Sequence, residues 1–238
     1  MGSPMRVVAL RRYPVKGLGG EGLASVPLDG RGLAGDRWFA VEDDDGRFAS
    51  AKDTRRFRRR DAVLGYRAAT ASDGGVTVTD GTDAWRVGDA ALDAELSRTT
   101  GASVRVTPEA GVPHQDMGAV SLVGTATLDW CAAAWDLDAD PRRLRVNLVV
   151  ETTEPFAEER WVGREVECGG ARLRVVERAP RCRTIDLDQD GAVARGRWLR
   201  PLAAERDLCL AVYADVVRPG LVTVGDPVHE VAGGRLTS

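Results

Sequence analysis

Short apolar runs separated by turn residues fill most of the chain, a spacing that favours strands over helices. Residues 5–15, MRVVALRRYPV, read as a strand entering a proline turn, and 25–29, SVPLD, as a short extended segment. Residues 37–51, RWFAVEDDDGRFASA, predict a hairpin: an apolar run, a turn at Asp45-Gly46, then a second strand. AVLGYRAAT, GVTVTD and AWRVGD continue as a meander with Gly and Asp turns between them. Helical signals are few. Residues 89–101 open on Asp89 and close on Gly101, residues 125–135 are capped by Thr125, and RWLRPLAAERD holds a short helical turn. VRVTP and VSLVG read as strands on either side of a loop, 109–119, that separates two halves. The second half adds a buried strand RLRVNLVVE, a hairpin turning at Gly169-Gly170, a strand-like run Thr184 to Leu187, and two closing strands, CLAVYADVV and GLVTVGDPVHEV. The pattern predicts a mainly β protein, rich in barrel or sandwich strands, with few short helices. Its expected domains are 5–108 and 109–232.

At 238 residues the chain suffices for one large domain or two small ones. It shows neither a signal-peptide pattern nor an apolar run long enough to span a membrane, so the expectation is a cytoplasmic protein with reduced thiols. Residues 1–4, MGSP, before Met5, read either as a cloning remnant or as a natural start. Arginine supplies nearly all the positive charge, a bias that fits a GC-rich genome. The two lysines, Lys16 and Lys52, stand out by their scarcity. Four cysteines without a CxxC pair, and two histidines, argue against a structural zinc site.

Cys182 stands between Arg181 and Arg183. Cations favour a thiolate over a thiol, so the triplet suits a nucleophile or a soft metal ligand; the plainer reading is a strand cysteine in an arginine-rich chain. Cys131, Cys168 and Cys209 lie in apolar or Gly-rich settings that suit packing. Lys16 follows a proline turn, and Gly17 beside it allows close approach of a ligand to the backbone. Arg37 follows a flexible glycine pair at the start of the next strand. In RRLRVN, residues 142–147, Arg143, Arg145 and Asn147 would share one face of a strand, forming an anion pocket or an exposed edge. The basic run KDTRRFRRRD, 52–61, sits in an acidic chain of net charge −3 with no nucleic-acid module around it, so a solvated face or part of the same anion pocket is expected, with no nucleic-acid partner. His114 and Asp116 are candidate proton donors in the loop; His229 reads as structural.

YPVKG, GLAGDRWFAVEDDDGRFASAK, VSLVGTATLDW, RRLRVN, PRCRT and the closing VGDPV, in this order and spacing, resemble the MOSC family, named for the C-terminal domain of molybdenum cofactor sulfurase. The resemblance runs over about residues 6–230 and implies a MOSC β-barrel with an N-terminal β-barrel subdomain and a cleft between them. Members similar to the mitochondrial amidoxime-reducing component, and their bacterial relatives, bind molybdenum cofactor (molybdopterin) there. By that resemblance Cys182 is the metal ligand and catalytic centre, and Lys16, Gly17, Arg37, Arg145, Asn147 and Arg181 bind the cofactor. The chain departs from the pattern where Gly17 replaces a usual Ser, Pro180 a Ser, Leu144 a Phe, Val146 a Pro and Arg55 a Pro.

The chemistry of these residue types agrees. Lys and Arg suit a phosphate, Asn a pterin edge, and a thiolate a soft metal. The resemblance implies an oxidoreductase that reduces N-hydroxylated small molecules, with electrons from a separate electron-transfer protein and no membrane partner. The alternatives are a sulfur carrier or sulfurtransferase working through a Cys182 persulfide, and a non-catalytic carrier of the cofactor.

Overall fold

A computed structural model describes residues 5–231; residues 1–4 and 232–238 lie outside the described part, and with them the MGSP segment and the last residue of the expected second domain. Seven strands close into a barrel. Met5–Arg12 pairs with Leu148–Val150, which runs parallel to Val120–Gly124. From there the order is Cys209–Arg218, Ala171–Pro180, Glu165–Cys168 and Pro227–Glu230, and the last pairs back onto Met5–Arg12. The first strand of the chain thus closes a barrel otherwise built from its second half.

Strand alternation explains the packing. Leu122, Leu148 and Val150 join the barrel core with Val7, Leu173 and Val212. Val123 and Val149 face outward into a second apolar layer, where the helices Thr125–Trp135 and Leu199–Glu205 supply Leu128, Cys131 and Leu202. Leu148–Val150 is buried on both faces, which is why its sequence is continuously apolar.

The N-terminal half forms its own sheets. Phe39–Asp43 pairs with Val104–Pro108, with Phe48–Ser50, and in parallel with Val15–Lys16. Arg67–Thr70, Val76–Thr79 and Ala84–Arg86 make the expected meander. The helix Ala90–Thr100 drops Leu92 and Leu96 into the core between them. It ends as the sequence indicates, with Gly101 in the left-handed region at φ 67°. The Asp45-Gly46 hairpin and the Gly169-Gly170 hairpin form where expected.

Four local readings need correction. The strand RLRVNLVVE shortens to Leu148–Val150, because Asp140 and Pro141 start a helical turn, Pro141–Leu144, instead. The Asp140 carboxylate accepts from the Arg142 amide at 2.9 Å, and Pro141 presets φ for the first helical position. Arg143, Arg145 and Asn147 therefore do not share a strand face. Thr184 to Leu187 is not extended: Arg183–Asp186 is a 3-10 turn closed by Ile185 N donating to Cys182 O at 3.1 Å. Residues 62–65, expected as the start of the strand AVLGYRAAT, belong instead to a 3-10 turn, Asp61–Gly65, that buries Val63 and Leu64. At the second long helix the N-cap position falls on Gly124; the Thr125 hydroxyl bonds Thr152 instead.

Candidate active site

A cleft of about 340 Å³ is lined by residues from both halves of the chain. Its walls carry seven Lys or Arg side chains and a single carboxylate, Asp116, although the chain as a whole is acidic. Both of the chain's lysines are among them. The run 52–61 contributes Lys52 and Arg56, while Arg58, Arg59 and Arg60 turn away to Asp45, Asp61 and Asp43.

Aromatic rings and backbone carbonyls, more than carboxylates, hold these cations. The Phe57 ring lies under Lys52 at 4.5 Å, Lys16 at 5.1 Å and Arg56 at 5.2 Å. The fully buried Tyr13 ring lies under Arg145 at 4.5 Å and Arg37 at 5.2 Å. A ring face attracts a cation but leaves its charge in place. Arg145 donates to Leu18 O at 2.7 Å, Arg181 to Leu210 O and Leu144 O at 2.7 and 2.8 Å, and Arg143 to Ile185 O and Arg195 O at 2.8 and 3.2 Å. Burial lowers the pKa of all three guanidinium groups from the ordinary value. Arginine nevertheless stays charged at neutral pH.

Carboxylates reach only two cleft cations among the described residues. Arg37 pairs with the buried Asp36, and burial is outweighed by that neighbour so that its pKa is raised. Lys16, 6% exposed, pairs with Asp116 at 3.0 Å. Burial pulls the Lys16 pKa down to about 8, with Asp116 offsetting part of the effect. Burial raises the Asp116 carboxyl, but Lys16 and Lys52 more than reverse this and hold it at about 2. Arg37 and Arg145 also have left-handed backbone, φ 55° and 54°, a cost for non-glycine residues that tends to gather at working sites.

Cys182 is the exposed thiol of the four; Cys131 and Cys168 are buried, and burial pushes each up to about 12. Its Sγ lies 3.3 Å from Thr184 Oγ1 and lines the cleft. The flanking arginines serve it less directly than the triplet suggests. Arg183 pairs with Asp61 at 2.7 Å across the junction of the halves, and Arg181 turns toward carbonyl oxygens.

The cleft brings together Lys16, Gly17, Arg37, Arg145, Arg181 and Cys182. Asn147 lies outside its lining. The Asn147 Oδ1 accepts from Ser121 N and Oγ at 3.1 and 3.0 Å, and its Nδ2 donates to Arg11 O at 3.2 Å, so its amide is occupied by protein. Arg143, Lys52 and Arg56, which the sequence offers to an anion pocket or to an exposed, solvated face alike, line the cleft as well. Burial lowers the pKa of His114, which lies behind the cleft with Nδ1 3.1 Å from Arg37 O.

Residues 109–229 match the MOSC domain, and residues 4–116 match the MOSC N-terminal beta barrel domain. The chain belongs to the MOSC family. Solved structures similar to this MOSC chain include the YUAD protein from Bacillus subtilis, at 12% identity over 94% of each chain with a TM-score of 0.47. YiiM from Escherichia coli is 12% identical over 99% of this chain and 73% of that chain, with a TM-score of 0.46. YiiM from Geobacillus stearothermophilus is 15% identical over 50% of this chain and 58% of that one, with a TM-score of 0.36. No curated protein matches the chain. MOSC membership supports a function related to molybdenum cofactor. Among the described residues, no helix is long and apolar enough to cross a membrane.

Proposed function

We propose that this MOSC protein is a molybdenum-cofactor-dependent reductase of N-hydroxylated small molecules, with Cys182 as the metal ligand. The observation that carries the reading is the uncompensated positive charge of the cleft beside an exposed thiol. Lys52, Arg56, Arg143, Arg145 and Arg181 line it without a carboxylate in ion-pair reach among the described residues. Partly buried charge without a counterion is costly, so the cleft is built for an anion.

The residues fit molybdopterin. Lys16, Arg37 and Arg145 would hold its phosphate, Gly17 offers a backbone N–H, and Arg181 lines the same wall. Cys182 supplies a soft sulfur ligand on an accessible edge. The cofactor, when bound, would supply a two-electron couple for removing oxygen from nitrogen. The net reaction takes a hydroxylamine, two electrons and two protons to an amine and water, with electrons from a separate electron-transfer protein. The chain's own residues fix the ligand's charge and orientation. Asp116 is held ionised and His114 neutral at pH 7, so neither is poised to donate the proton.

Protein loaded with cofactor should reduce benzamidoxime with reduced methyl viologen as donor, and Cys182→Ala should lose that activity. Equal turnover by the variant would reject Cys182 as the metal ligand. The same exposed Sγ supports a second reading, sulfur carriage as a Cys182 persulfide. Intact-mass analysis after incubation with thiosulfate, whose sulfane sulfur passes to the thiolate as sulfite leaves, would show a 32 Da addition lost in Cys182→Ala under that reading, and no addition otherwise.

A further inference from the structure

The two carboxylates that reach cations of the cleft are held very differently. Asp36 is buried; its Oδ1 accepts from Tyr13 N at 2.7 Å and its Oδ2 pairs with Arg37, so it is a fixed part of the wall. The Asp116 side chain is 43% exposed, and among the described residues its carboxylate accepts one hydrogen bond, from Lys16 Nζ at 3.0 Å. Lys16 has no other hydrogen-bond acceptor among those residues, and its ammonium otherwise meets the Phe57 ring at 5.1 Å. Both side chains line the cleft.

The half-exposed carboxylate thus lies on the solvent side of a buried ammonium. An anion that enters the cleft toward Lys16 meets Asp116 first. The chain around Asp116 lets it leave. Before it, Arg56 donates to Gln115 O at 3.1 Å and His114 N donates to Glu109 at 2.7 Å. After it, Gly118 packs so closely that a Cβ there would lie 2.7 Å from Tyr213. Asp116 and the exposed Met117 span the gap between these anchors, so a rotamer change at Asp116 moves neither anchor. Stripping a buried ammonium of its partner is costly, however, so Asp116 departs only as another anion takes its place. A like-charged group cannot share the position with it.

We propose that Asp116 is a displaceable counter-ion, which holds the place on Lys16 that the anionic group of the ligand takes, and which swings toward solvent as that group arrives. The exchange also sets a preference. A monoanion replaces one negative charge with another and gains nothing, whereas a dianion such as a phosphate monoester interacts more strongly with Lys16, Lys52 and Arg37 than the carboxylate does. The inference rests on the cleft being an anion site and adds the contact that decides which anions enter it.

The test uses full-length protein from a host that makes no cofactor, at pH 6 and constant ionic strength. A water-soluble carbodiimide joins a carboxylate and an amine in contact as an amide, taking up the water itself to become a urea. Peptide mass spectrometry reads the Lys16–Asp116 cross-link. It should form in the protein alone, fall about fivefold or more with sulfate as the dianion, and persist with chloride at the same ionic strength. Calorimetry should show Asp116→Asn binding sulfate about tenfold more tightly than the parent, and Lys16→Gln binding it more weakly. A pair that only tethered the loop would change both variants in the same direction. No cross-link in the protein alone, a cross-link that survives saturating sulfate, equal suppression by chloride, or Asp116→Asn binding no tighter than the parent would overturn the displacement. Sulfate binding to neither the parent nor Asp116→Asn would overturn the anion-site reading beneath it.

Discussion

Lys16 carries a legible pH signature. Its ammonium is 6% exposed, and burial brings its pKa from 10.5 to about 8. The charge is therefore present at neutral pH and lost as pH rises through about 8. In the unfolded chain the proton stays on to about 10.5, so between these values the unfolded state binds more protons and this group's share of stability rises with pH. With two lysines in the chain, selective labelling and NMR read the titration directly. One resonance should titrate near 8 and vanish in Lys16→Gln. Asp116→Asn should move it lower still, because the favourable partner is removed while burial remains. Two lysines titrating near 10.5 would contradict the buried pair. Asn147 makes the opposite kind of prediction. Its amide ties Ser121 to Arg11, so Asn147→Ala should lower unfolding free energy by about 1–3 kcal/mol in urea while leaving molybdenum content per chain unchanged. Loss of molybdenum at unchanged stability would return Asn147 to the cleft.

Among the elements, the turn after Val15–Lys16 explains one departure from the family pattern. Gly17 has φ 91°, and a Cβ there would lie 3.0 Å from Ala49 O. Gly17→Ser, the residue related reductases usually carry, should cost roughly 1–3 kcal/mol by thermal unfolding, through strain in the left-handed region and that contact. A variant as stable as the parent would show that the turn has another accessible conformation. The elements that sequence patterning recovered are those whose cause is local: the Asp45-Gly46 hairpin, the Gly169-Gly170 hairpin, and the helix ending at Gly101. Those it missed depend on competing signals. Pro141 and the Asp140 cap overrode an alternation that looked like a strand, and the 3-10 turn at Arg183–Asp186 is fixed partly from a distance, where Asp186 Oδ1 accepts from Trp198 N at 2.6 Å.

At the scale of the whole molecule, the site is a product of how the halves are joined. Met5–Arg12 closes the second half's barrel, and the chain then leaves through Tyr13 toward Lys16 and Arg37 in the first half's wall. Tyr13 couples the two sides: its carbonyl accepts from Arg37 N at 2.8 Å, while its ring carries Arg145 from the other half. That Lys16, Arg37, Arg145, Arg181 and Cys182 come together at one cleft was legible from motifs that are short and ordered along the chain. How their charges are held was not, since that depends on ring faces, carbonyls and left-handed backbone that no spacing reveals. The resulting excess of cations in an acidic protein is the basis for the proposal that the cleft takes an anionic cofactor. The most direct measurement is molybdenum per chain, by elemental analysis, after anaerobic purification from a host rich in the cofactor, with Cys182→Ala alongside. Near-stoichiometric molybdenum that falls in the variant is the predicted result. Its absence from both proteins would contradict the assignment.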